Sequence, residues 1–209
     1  MKMSMKVARL FCAALLIAAS AAAPAAQVGK SQGVSDINTM TEANVAALPG
    51  LNATVAKALV AKRPFTSITE LNAFLLSQGL TQEQATAIYP KAFVHINLNA
   101  ATVDEIMLVP NAGRRMSREF PEYRPWKTYA QFDKEIGKYV GPDATAKLAQ
   151  YTFIPMNANT AADADLLSVP GADQAWADKV KKGRPYKTAA DLEKVAGKAQ
   201  ARFFVIEQA

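Results

Sequence analysis

Cysteine and histidine are nearly absent from this chain. It has one of each in 209 residues, Cys12 and His95. Cys12 sits behind Phe11 in an apolar run near the start, a poor lipoprotein signal. With no second thiol there is no disulfide framework and no thiolate metal site. A lone histidine, held in the apolar stretch "FVHIN", cannot assemble a zinc site. Neither a G-x-S-x-G elbow nor a Walker loop occurs. Asp104-Glu105 and the pair Asp163 and Asp165 stand at expected helix starts, where acids complement the helix dipole. These absences argue against an enzyme and imply no cofactor and no metal.

A long hydrophobic run is lacking too. "LFCAALLIAASAAA" follows Lys2, Lys6 and Arg9 and precedes Ala23-Pro24-Ala25, an A-x-A pattern. Residues 1–25 therefore read as a secretory signal peptide cleaved near Ala25. The run is short and alanine-rich for a membrane span, although retention as an uncleaved anchor is the competing reading. Export without cysteine suits a bacterial periplasm, with no membrane span after cleavage. Residues 26–35 read as a flexible linker. The formal net charge of +6 falls to +3 when the three basic residues of the leader leave. That balance permits a polyanionic partner without demanding one.

What the sequence does contain is a repeat. "INTMTEANVAALPGLNATVAKALVAKRPFTSITEL" from Ile37 aligns with "NLNAATVDEIMLVPNAGRRMSREFPEYRPWKTYAQF" from Asn97 and "NANTAADADLLSVPGADQAWADKVKKGRPYKTAADL" from Asn157. Pro49, Pro110 and Pro170 coincide, and so do Arg63-Pro64-Phe65, Arg124-Pro125-Trp126 and Arg184-Pro185-Tyr186. The expected fold is all-α, in three tandem units of about 60 residues over 36–95, 96–155 and 156–209, joined by short extended connectors.

Each copy reads as short helices. Thr102 and Glu105 match a capping box. An apolar face follows at Val45, Ala46 and Leu48, at Ile106, Met107 and Val109, and at Leu166, Leu167 and Val169. The proline turn ends this helix, because the residue before proline avoids α geometry. A second helix carries Val55/Leu59, Met116/Phe120 or Trp176/Val180 at i, i+4 spacing. In copy two, Pro121 is expected to kink or end it near Phe120. A third helix carries Ile68/Leu71, Tyr129/Phe132 or Ala189/Leu192, and a second glycine turn holds Gly79, Gly141 or Gly197. Arg63, Arg124 and Arg184 are expected to serve the dipole at a helix C-terminus. Phe65, Trp126, Tyr186 and Trp176 read as core.

Helix, "hPGhG" turn, helix, Arg-Pro-aromatic and a second glycine turn resemble the helix-hairpin-helix family. "INLNAAT", the "LPG" hairpin and the exported leader are similar more narrowly to DNA-uptake (competence) proteins of the ComEA type. The resemblance implies periplasmic binding of double-stranded DNA without sequence preference, through backbone amides at the hairpin. Amides at a helix start, with the positive end of its dipole, form an anion site. Glycine allows positive φ and a close phosphate. Copy one offers Gly50, Leu51, Asn52 and Lys57, with Asn52 taken as a left-handed substitute for the second glycine. Copy two offers Asn111, Ala112 and Gly113 with Arg114, Arg115 and Arg118, and is the best candidate. Copy three puts Asp173 where the phosphate would sit. The competing reading of the arginines is a solvated face paired with Glu119 or Glu122. The competing reading of the whole chain is a non-catalytic protein-interaction or structural module with a periplasmic protein partner.

Overall fold

The computed structural model describes residues 34–207, so the expected signal peptide and most of the expected linker lie outside the described residues. Unit one runs β1 Ser35–Asp36, α1 Glu42–Ala46, α2 Ala53–Lys62, α3 Ile68–Ser77, α4 Gln82–Ile88, β2 Ala92–Phe93. Unit two repeats this as β3 Ile96–Asn97, α5 Val103–Met107, α6 Gly113–Glu122, α7 Tyr129–Val140, α8 Pro142–Ala149, β4 Thr152–Phe153. Unit three follows as β5 Met156–Asn157, α9 Asp163–Leu167, α10 Gln174–Lys182, α11 Ala189–Ala196, α12 Lys198–Ala201, β6 Phe204–Val205. The chain is mostly α-helical.

Two features depart from the expected pattern of three helices per unit joined by extended connectors. The extended pieces are not mere connectors. Each unit's first and last strands pair in parallel, with Ser35 opposite Ala92, Ile96 opposite Thr152, and Met156 opposite Phe204. Parallel strands need a long crossover between them, and here the four helices supply it. Val34 is buried and Ser35 lies in β1, so the last residues of the expected linker belong to unit one. The second feature is the fourth helix. Its starts are marked by the capping box of Thr81 with Gln84 in α4 and by Pro142 after Gly141 in α8.

Local chemistry accounts for most helix boundaries. Thr102 accepts from Glu105 N while the Glu105 side chain returns to the Thr102 amide, as its spacing implies. Pro121 falls within the last turn of α6, which runs on to Glu122, two residues past the expected stop at Phe120. The Phe120 carbonyl accepts from Trp126 Nε1 at 2.8 Å. On the five-residue helices the outer residues of the apolar triplets are buried, but Ala46, Met107 and Leu167 face solvent. An i, i+3 pair shares a face, and the residue between turns away from it. Ala189, expected inside, is likewise exposed.

A clamp repeats in every unit. Asn38, Asn99 and Asn159 each hold both backbone groups of the aromatic residue 27 positions on. Asn99 donates to Trp126 O at 2.9 Å and accepts from Trp126 N at 2.6 Å. Phe65, Trp126 and Tyr186 are thereby seated in the core, where they are buried. Trp176 is half-buried against the third core and donates to Ala196 O. The preceding Arg-Pro bond is cis in all three units. The arginines are structural, but by a different contact than the dipole. Arg124 donates to Leu98 O at 2.7 Å and Ala101 O at 2.6 Å. Arg184 donates to Ala158 O and Ala161 O, and Arg63 to Met40 O. They tie the end of the second helix to the loop before the first.

Units one and two share a continuous core from Val34 to Ile154, whereas unit three has its own. Edge-to-face ring pairs join successive units, Phe93 with Tyr151 at 5.1 Å and Phe153 with Phe203 at 4.6 Å. Unit three also reaches back to unit one. Arg202 donates to Asp36 Oδ2 and to His95 O, each at 2.7 Å. His95 Nδ1 lies 3.2 Å from the same carboxylate oxygen. The other oxygen of Asp36 accepts from Asn38 N at 2.9 Å, a turn that Asn97 and Asn157 reproduce in their units.

Burial would raise the Asp36 pKa, but the His95 hydrogen bond and the Arg202 charge overcome it and hold it down to about 2. The ion pair's stabilisation is fully present above the unfolded-state pKa of about 3.9 and is lost as pH falls through the folded value. Urea unfolding should therefore lose about 2 kcal/mol between pH 5 and the low end of that window. Asp36→Asn keeps the turn but leaves Arg202 unpaired. It should cost about 3 kcal/mol at pH 7 and flatten that acid dependence. An unchanged acid slope in the variant would assign the effect elsewhere.

Candidate nucleic-acid interface

The three elbows between first and second helices share a proline and a left-handed residue, then diverge. In unit one Gly50 has φ +73° and is exposed, while Leu51 is half-buried against the core. Asn52 is not a left-handed substitute for glycine. Its φ is −103°, and its side chain accepts from Val55 N at 2.9 Å as the N-cap of α2. The reason is local, since a short side-chain oxygen in extended geometry reaches the first free amides of a helix. Lys57 is exposed on α2.

Unit three behaves in the same way. Asp173 caps α10 by accepting from Trp176 N at 2.7 Å, so its carboxylate takes one of the amides a phosphate would need. Gly171 has φ +77°, and a Cβ there would stand 2.8 Å from the Thr39 methyl of unit one. Gly171 is itself exposed, and this elbow lies beside Thr39 of unit one. Lys179, Lys181 and Lys182 follow at the end of α10, and Lys181 is paired with Asp163 at 2.8 Å and Asp178 at 3.1 Å.

Unit two differs at the decisive position. Gly113 aligns with Asn52 and Asp173, has no side chain, and α6 starts without a side-chain cap. Asn111 and Gly113 take φ +65° and +62°, and Ala112 between them is buried. Nothing lies within 4 Å of where a Gly113 Cβ would be. Asn111, Gly113, Arg114, Arg115 and Arg118 are all exposed. No salt bridge among the described residues engages the three arginines, so the expected pairing with Glu119 or Glu122 is not formed. Glu119 turns instead toward Tyr139, whose hydroxyl lies 2.7 Å from that of Tyr123. The Tyr123 hydrogen bond, burial and Glu119 together raise the Tyr139 pKa, so its ring stays a neutral phenol. The Arg115 guanidinium lies over that ring, 4.6 Å from its centroid. Lys138 next to it is tied to Glu135.

The structure thus brings Asn111 to Gly113 together with Arg114, Arg115 and Arg118, and makes Asn52 an N-cap whose side chain occupies the Val55 amide. Sequence reasoning missed Tyr123 and Tyr139, and it gave Glu119 a different partner. A signal existed in part: Asn and Asp are strong N-caps and glycine offers no side chain to do it. Among the described residues no cluster of three or more metal-ligating side chains occurs, and no helix is long and apolar enough to cross a membrane. No protein-family model, curated protein or solved structure matches this chain.

If Asn52 and Asp173 are caps, their replacement by alanine should each cost about 1 kcal/mol in urea denaturation. Gly113→Ala leaves no cap bond to lose, and only backbone strain of about 1–2 kcal/mol should register. Equal stability of Asn52→Ala and the parent chain would refute the capping role.

Proposed function

We propose that this chain is a periplasmic, non-enzymatic binder of double-stranded DNA, without sequence preference, built from three helix-hairpin-helix units and serving DNA uptake. The binding work falls to unit two. The observation that carries this reading is the open start of α6: amides not engaged by any side-chain cap, room around Gly113, and three exposed arginines with no carboxylate partner. A phosphate oxygen is the group this arrangement suits, by hydrogen bonds from backbone N–H and by the positive end of the helix dipole. Arg114, Arg115 and Arg118 supply the charge that holds neighbouring phosphates. Such contacts place a protein on a duplex and read no bases. Units one and three, whose elbows are closed by their own Asn52 and Asp173, act as scaffold.

Those closed elbows favour a second reading, in which the triplicated scaffold meets a periplasmic protein and no nucleic acid. An anisotropy titration of the chain from residue 26 with a random-sequence duplex at about 50 mM salt separates the two, because backbone-phosphate affinity is strongest at low salt. Binding with a log–log salt slope of roughly −2 to −3 is expected from three arginines. Arg114→Ala with Arg115→Ala should weaken binding uniformly across sequences and reduce the slope by about 2. No binding at that salt would end the DNA reading and leave the protein-partner reading standing.

A further inference from the structure

Among exposed arginines on a helix, most sample many rotamers, and binding a phosphate then costs conformational entropy. Arg115 is an exception with a visible cause. Its guanidinium lies 4.6 Å from the Tyr139 ring centroid, within cation–π range. The Tyr139 hydroxyl is in turn 2.7 Å from the Tyr123 hydroxyl. The Tyr123 ring packs on Trp126 at 5.9 Å, and Trp126 is fixed by the Asn99 clamp. A continuous path of contacts therefore runs from the buried core to an exposed guanidinium two residues beyond Gly113.

We propose that Tyr139 is a positioning residue that presents Arg115 to the phosphate held at the Gly113 elbow. Resting on the DNA reading above, this assigns one aromatic residue a role that its half-buried place in α7 does not require. Stacking on the ring face consumes none of the guanidinium's N–H donors, so all five remain for phosphate oxygens. The hydroxyl of Tyr139 is not part of that contact. It lies 2.7 Å from the Tyr123 hydroxyl. The ring face alone carries the positioning effect.

Three substitutions test this, read by anisotropy with a random duplex at about 50 mM salt and checked for folding by near-UV circular dichroism. Tyr139→Phe keeps the π face and gives up only the hydroxyl contact with Tyr123, so it should bind closer to the parent than Tyr139→Leu does. Tyr139→Leu keeps apolar bulk without a π face and should bind about threefold to fivefold more weakly, the size of an exposed cation–π contact. In an Arg115→Ala background Tyr139→Leu should have no further effect, because neighbours acting as one unit are not additive. A parent chain that binds while Tyr139→Leu binds equally well overturns this inference and leaves the DNA reading intact. So does a loss that persists undiminished in the Arg115→Ala background. A folded parent chain that binds no duplex overturns both.

Discussion

A single carboxylate, buried where the three units meet, carries two separate obligations. One oxygen of Asp36 closes the turn onto Asn38, a task that Asn97 and Asn157 perform in the other units without any charge. The second oxygen accepts from Arg202 of unit three and faces His95 of the segment between units one and two. A charge in this place would be costly if left alone, and losing either partner would leave the other buried and unpaired. The repeat register sets Arg202 opposite Gln150 and Pro90, and His95 opposite Pro155. The positions where the copies differ therefore come together at one point. They join three similar units that otherwise hold separate cores in the third and the first two.

That junction has consequences at the surface. With unit three drawn back onto unit one, the Gly171 elbow lies beside Thr39. One of its first amides is also taken by Asp173. Unit one keeps its elbow exposed but closes it with Asn52. Only the second copy exchanges the cap for a glycine, and only there does a set of exposed arginines stand free of carboxylates. One repeated scaffold thus holds three elbows of two chemical kinds, self-capped and open. The difference is made by one side-chain oxygen.

The candidate site was legible in the sequence where its logic is local. The Pro110-to-Arg118 stretch carries its turn, its open glycine and its charge within nine residues, and the structure keeps them adjacent. The role of Asn52 was misread because αL tolerance and N-capping are both properties of asparagine, and only the backbone angle chooses between them. The pairing of the arginines with Glu119 failed for a different reason. Glu119 has a competing partner in Tyr139, which lies twenty positions away on another helix.

By itself the sequence determined the triple repeat, three of the four helices in each unit, the proline and glycine turns, and the aromatic plugs at Phe65, Trp126 and Tyr186. Periodicity, capping and turn chemistry all act over a few residues and leave a readable spacing. Tertiary structure alone decided the closing of each unit by two-residue parallel strands, the Asn99–Trp126 clamp across 27 positions and the Asp36–Arg202 pair across 166. Such contacts gain their strength from burial, and burial exists only once the helices have packed.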